Sequence, residues 1–156
     1  FFFKQKTAYE IKKKLKRKVS EILCRRRAAA LPLSVIFTKL NQVIRGWVNY
    51  FKIGSVKTFL KGFGEWMRHK VRVVIIKQWK NSKTILRNIN RINKLFKKKV
   101  SKVGLHKLAH SKYGLYRRTG LNVSNVILSI DVLGKPNIKD NRPGLINPCA
   151  YYLYSI

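Results

Sequence analysis

Acidic side chains are what this 156-residue chain has least of: five Asp and Glu stand against 36 Lys and Arg, a formal charge of +31. A field of that size opposes folding through self-repulsion unless a polyanion neutralises it, so the composition itself implies a polyanionic partner. Nucleic acid is the first candidate and an anionic membrane surface the second. The same scarcity excludes chemistry. Polymerase, nuclease and phosphatase centres gather carboxylates around divalent metals. Here Glu21, Glu65, Asp131 and Asp140 are scattered singles and no Asp-Asp pair exists. No catalytic residue, metal ligand set or cofactor is expected within this chain.

Other absences narrow the reading further. No window offers the roughly 18 consecutive apolar residues of a membrane span, since even the run 71–76 contains Arg72. No signal peptide is visible, because the basic N-terminal region leads into Ser20-Glu21 and a second basic run. The two cysteines, Cys24 and Cys149, are far apart and in no CxxC pattern, which suits a reducing cytoplasm with free thiols. No GxGxxG or Walker pattern and no Ser/His/Asp or Cys/His signature occurs. His106 and His110 share a zinc-like spacing, but the string His-Lys-Leu-Ala-His lacks the Glu of an HExxH site and has no third ligand nearby. They read as surface histidines. No internal repeat is found.

What the chain does have is helical periodicity. In the run 40–54, Leu40, Val43, Ile44, Trp47 and Phe51 fall at i, i+3, i+4, i+7 and i+11, one buried helical face. Arg45, Asn49 and Lys52 point the other way, and Gly54 supplies a stop. This organising helix is expected over 33–53. A second, over 56–79, carries Phe59, Phe63, Trp66, Val73 and Val74 on its apolar side, with the stem of Lys70 along it, and Lys61, Arg68 and Arg72 opposite. A third, over 82–98, has Ile85, Ile89, Ile92 and Phe96 in a stripe, opposed by Lys83, Arg87, Arg91, Lys94 and Lys98. Solvated Lys faces are normally interleaved with Glu. Without it, phosphate binding is the favoured role of these stripes. The aromatic residues of the long helices read as core because they lie on the apolar stripe. Trp79 falls on the basic side beside Lys77 and Lys80, where stacking on an unpaired base and capping the helix end are both open.

Around these helices the signal is weaker. Over 12–27, Leu15, Val19, Ile22 and Leu23 suit an amphipathic helix, with a solvated charged face as the alternative, and Pro32 marks a break. Beyond residue 99, a short helix is expected over 104–114. The stretch 121–133 fits either helix or strand, 134–147 reads as loop, and 148–154 as a terminal helical turn with Asn147 as N-cap. The expected architecture is all-α: a basic helical bundle over 33–99, preceded by a basic helix and linker over 12–32 and followed by a less regular extension over 100–156. Residues 1–11 stand apart. Phe-Lys-Gln-Lys-Thr-Ala-Tyr-Glu-Ile resembles a translated sequencing adapter and is set aside as one would a cloning scar. The natural protein is accordingly expected to be longer at its N-terminus, with a native C-terminus.

The run Leu-Asn-Gln-Val-Ile-Arg-Gly-Trp-Val-Asn-Tyr-Phe-Lys-Ile-Gly at 40–54 resembles the signature of the maturase-specific domain of group II intron-encoded reverse transcriptases. The pattern continues through Phe59, Trp66-Met-Arg-His-Lys-Val-Arg72 and Lys77-Gln-Trp-Lys80. Ala109-His-Ser-Lys-Tyr-Gly-Leu-Tyr116 looks like the family's Ala-Asn-Ser-Arg-x-Gly-x-Tyr segment, with His110 where Asn is usual. The resemblance implies a helical thumb that grips a primer–template duplex and binds intron RNA, helping it reach its splicing-active form. The Tyr-x-Asp-Asp polymerase domain and its divalent metal would lie upstream. No His-Asn-His endonuclease motif follows. RNA contacts are expected at Arg45, Asn49, Lys52, Lys61, Arg68, Arg72, Trp79, Lys83, Arg87, Arg91 and Lys94. Leu40, Ile44, Trp47, Phe51, Phe59, Phe63, Trp66, Ile85, Ile89 and Ile92 are the expected core. The implied setting is a bacterial cytoplasm or a eukaryotic organelle, with no membrane partner. Other classes compete: a stand-alone nucleic-acid-binding structural protein, ribosomal or histone-like, or a membrane-surface amphipathic protein. Whether the natural protein is an enzyme turns on the upstream domain.

Overall fold

Spacing of apolar residues decides where the chain turns back on itself in the computed structural model, which describes residues 2–52 and 54–156, with side chains from residue 7 onward. The described residues form ten helices and no strand; their one extended pairing is a single bridge between Asn137 and Arg142. The chain is all-α.

Helix α1 (Phe2–Ile22) buries Leu15 and Val19, with Leu23 just beyond its end, and lies along α3 (Leu33–Phe51). The short α2 (Arg25–Ala28) intervenes, and Pro32 precedes the first residue of α3, where its fixed φ and missing N–H break one helix and admit the next. The adapter-like residues from Phe2 on form the opening turns of α1, and Thr7 to Glu10 are exposed; Phe1 lies outside the described residues. The organising helix ends at Phe51, and Ile53, its expected last residue, also lies outside them.

Helix α4 (Lys57–Gln78) is the centre of the molecule. Its first half is amphipathic, burying Leu60, Phe63 and Met67. Its second half is buried on every side from Val71 to Ile76, Arg72 included. A helix apolar all round is one that others cover, and α2, α7 (Leu115–Thr119) and α10 (Pro148–Ser155) all pack on α4. Gln78 fixes the α2 turn to the end of α4, its Nε2 donating to the carbonyls of Ala28 (3.0 Å) and Leu31 (2.8 Å).

Helix α5 (Ser82–Leu95) is started by Asn81, whose Oδ1 accepts from the Thr84 N–H at 2.8 Å. It stops three residues short of the expected end because Asn93 seizes the returning chain, accepting from the Val100 N–H (3.1 Å) and donating to its carbonyl (3.0 Å). Ser101 then caps α6 (Lys102–Ala109) through the Gly104 N–H. The ambiguous stretch resolves into two short helices, α8 (Asn122–Ile127) and α9 (Ile130–Gly134). The loop that follows is pinned from afar. Asn41, buried in α3, donates to the Gly144 carbonyl (2.8 Å) and accepts from the Ile146 N–H (3.0 Å). It delivers α10 onto α3 and α4, with Pro148 in its first turn and Asn147 as N-cap without a side-chain bond. The segment after residue 99 is no appendage: Leu105, Leu108, Ile127, Leu133, Leu145 and Tyr152 belong to the same core as Leu40 and Phe63.

Candidate nucleic-acid interface

At about 100° per residue, Lys83, Arg87, Arg91 and Lys94 share an arc of about 80° on α5. All four are exposed. Ile85 and Ile89 are buried opposite them, flanked by half-buried Leu86 and Ile92. No acid lies on this helix. Exposed lysines in left-handed backbone flank the helix at both ends: Lys80 (φ 59°) before α5, and Lys97 (φ 48°) and Lys99 (φ 54°) after it. Glycine would fill such positions at lower cost. The array of seven cations over 80–99 is held open and unneutralised, and Lys98, the one lysine there with an acidic partner, bonds Asp131 of α9. That contact, with the nearby Ser129 hydroxyl as a lesser influence, holds the Asp131 carboxyl below the usual carboxylate range. Elsewhere among the described residues the only other ion pair is the exposed Arg17–Glu21 contact at 3.8 Å.

The corresponding row of α4 has a different fate. Lys61 is exposed, but Arg68 is half-buried and Arg72 is buried. Arg72 Nε donates to the Leu128 carbonyl at 2.9 Å and a terminal nitrogen donates to Asn125 Oδ1 at 2.7 Å. Desolvation, with the nearby Arg68 charge, pulls its pKa down to about 10, which leaves it charged at neutral pH. Two of its three nitrogens are committed to α8 and the residue beyond it, so Arg72 acts as a structural pin between α4 and α8. Nearer the start of α4, Gly64 is buried against the C-terminal segment: a Cβ there would meet Pro148 Cδ at 3.4 Å. On α3, Arg45 is exposed, whereas Asn49 accepts from the Tyr151 hydroxyl (3.3 Å) and Lys52 reaches the Ser155 carbonyl (3.5 Å). Trp79 is the C-cap residue of α4, packed half-buried against the core.

Of the expected core, Leu40, Ile44, Phe63, Ile85 and Ile89 are buried. Trp47, Phe51, Phe59, Trp66 and Ile92 are half-buried. The aromatic residues run in a row across α3 and α4, Phe51–Trp47–Phe59–Phe63–Trp66, with successive centroids 4.7, 5.5, 5.8 and 5.7 Å apart. Lysines of α1 lie over it, Lys12 Nζ 5.2 Å from Phe59 and Lys16 Nζ 5.7 Å from Trp66, so cation–π contact fastens the basic α1 to the bundle.

Two arginines resemble surface cations in sequence and are not. Besides Arg72, Arg118 of α7 is buried and donates to the carbonyls of Leu108 and Ala109, the exposed-dipole end of α6. Sequence spacing gave no hint of Arg118, of the Gln78 anchor, or of the stacking of His69 on Tyr116 at 4.2 Å. Asn41, beside the apolar stripe of α3 and not on it, gave no hint either. His106 and His110 stack on each other at 4.0 Å on the surface, and the described residues contain no group of three His, Cys, Asp or Glu that could hold a metal. No helix among them is long and apolar enough to cross a membrane.

Residues 12–96, from the basic part of α1 to the end of α5, match the family model for the group II intron, maturase-specific domain. No curated protein matches the chain.

Proposed function

The chain belongs to the group II intron maturase-specific domain family, and from that premise we propose that it binds the structured RNA of a group II intron and so assists splicing. The observation that carries this is the α5 face: Lys83, Arg87, Arg91 and Lys94 exposed on one arc, with no acid beside them. A-form grooves hide base identity from side chains, so a rigid cationic helix meeting phosphates would read RNA chiefly by shape. Arg45 and Lys61 would add contacts on the neighbouring helices. In a protein carrying a polymerase domain, the same face would grip a primer–template duplex.

The test is charge reversal. Arg87→Glu with Arg91→Glu should lower affinity for a group II intron RNA about tenfold or more at moderate salt, and flatten the dependence of log affinity on log salt by roughly two phosphate contacts. The circular dichroism and melting of the variant should match the parent. Unchanged affinity and slope would remove α5 from the interface.

A further inference from the structure

A recess of about 500 Å³ opens beside α4, lined by Glu65, Trp66, Arg68, His69, Tyr116 and Gly120, among others. Its composition differs from that of the α5 face: three aromatic rings and one uncommitted guanidinium, in a concavity. The His69 imidazole stacks on Tyr116 with centroids 4.2 Å apart and planes 20° from parallel. His69 Nε2 lies 2.9 Å from the Tyr116 carbonyl, which can only accept, so Nε2 carries the proton and a neutral ring leaves Nδ1 as a free acceptor. Gly120 lies against this arrangement, where a Cβ would sit 3.4 Å from His69 Cε1. Tyr116 is 54% exposed and thus reachable from solvent, with Lys70 Nζ 5.5 Å from its ring centroid as a second cation beside the stack.

Arg68 is the second element. It is half-buried and forms no hydrogen bond or close ion pair with any described residue; desolvation disfavours its charge and the nearby Glu65 carboxylate partly offsets that. Arg72, in the same recess, already donates from Nε to the Leu128 carbonyl and from one terminal nitrogen to Asn125. One arginine therefore builds the wall and the other remains free to receive a ligand. A half-buried cation beside a two-ring stack suits a ligand with a phosphate and a planar ring.

Building on the RNA-binding reading above, we propose that this recess receives a single unstacked nucleotide of the bound RNA, its base extending the His69–Tyr116 stack and its phosphate meeting Arg68. Duplex RNA presents no such free base, whereas bulges and junctions do. The α5 face would supply shape-directed affinity, and the recess would select RNAs with an extruded base at the right place. Glu65 at the rim repels phosphate and accepts from amino groups, which orients the base edge toward it and the phosphate toward Arg68.

The experiment uses the full chain and two RNA hairpins, one with a single bulged 2-aminopurine and one fully paired. The wild-type protein should quench the 2-aminopurine emission and bind the bulged hairpin about tenfold more tightly than the paired one. Tyr116→Ala should abolish both the quenching and the preference while retaining binding to the paired hairpin, and Tyr116→Phe, which keeps the ring, should restore both. Equal binding of the two hairpins without quenching would overturn the recess as a nucleotide site and leave RNA binding intact. Equal loss of both hairpins in Tyr116→Ala would also overturn it, by making the ring merely structural. Failure of the wild type to bind either hairpin would sink the RNA-binding reading itself, and the recess with it.

Discussion

Helices α4 and α5 carry the same written pattern, an apolar stripe opposed by a Lys/Arg row, and the fold puts the two rows to opposite uses. On α5 the row faces solvent from end to end. On α4 it begins exposed at Lys61, sinks to half-burial at Arg68 and ends buried at Arg72. Nothing local distinguishes them. The covering comes from residues 53 and 56 positions further on, Asn125 and Leu128, and from α10 more remote still. Helical periodicity reports which side of a helix is apolar, while the exposure of the polar side depends on how many neighbours the helix acquires. A central helix acquires them on all sides.

The sharpest way to break this comparison is to remove Arg72. Arg72→Met keeps the stem but leaves the Leu128 carbonyl and Asn125 without their charged donor, in a buried place, and should destabilise the protein by about 3 kcal/mol. The same change at Arg87 should stay within about 0.5 kcal/mol, as for an ordinary surface position. Urea denaturation of both variants makes the comparison; equal midpoints would mean that the α4 row is no more structural than the α5 row.

Next in size is the anchor that brings the cover into place. Asn41→Ala removes two hydrogen bonds to the chain around Gly144 and Ile146 and should cost about 2 kcal/mol. It should also loosen α10, so that hydrogen exchange accelerates over 145–155 more than in α5. Uniform acceleration along the chain would separate Asn41 from the docking of α10.

A smaller effect is expected where Lys98, just beyond α5, meets Asp131 of α9. The native Asp131 carboxyl titrates below its unfolded value because of Lys98 and Ser129. Its contribution is therefore complete above the ordinary carboxylate range and lost as pH falls through the lower native value. Asp131 is largely exposed, so the contribution is that of a screened surface pair. Asp131→Asn should lower the urea midpoint slightly at pH 6, and the difference should shrink as pH falls below the ordinary carboxylate range. A difference that does not shrink with pH would show that the effect is not ionic.

The all-α class and the three long helices were legible because their stripes span several turns. The family resemblance was legible in the residues around Trp47 and in the string ending at Lys80, and the family match covers that region. The α5 row was read from a helix whose N-cap, Asn81, and stripe are all local. What escaped reading is what depends on distant partners. Arg72 and Arg118 bury their charge only because helix-end carbonyls and an amide are brought to them by the fold. Residues 121–133 were undecidable because Val123, Val126, Ile127 and Ile130 suit either period over so short a stretch, and tertiary packing chose helix. The His69–Tyr116 stack joins α4 to α7 across 47 positions, and no spacing rule reaches that far.

The most direct test of the account is a lysine footprint: acetylation of the full chain with and without a group II intron RNA, read residue by residue by mass spectrometry. The account predicts strong protection of Lys80, Lys83, Lys94 and Lys97 by RNA. Lys98, already bonded to Asp131, should react slowly in both states and change little. Protection absent from 80–97, or spread evenly over every exposed lysine of the chain, would contradict a phosphate-binding role for the α5 face.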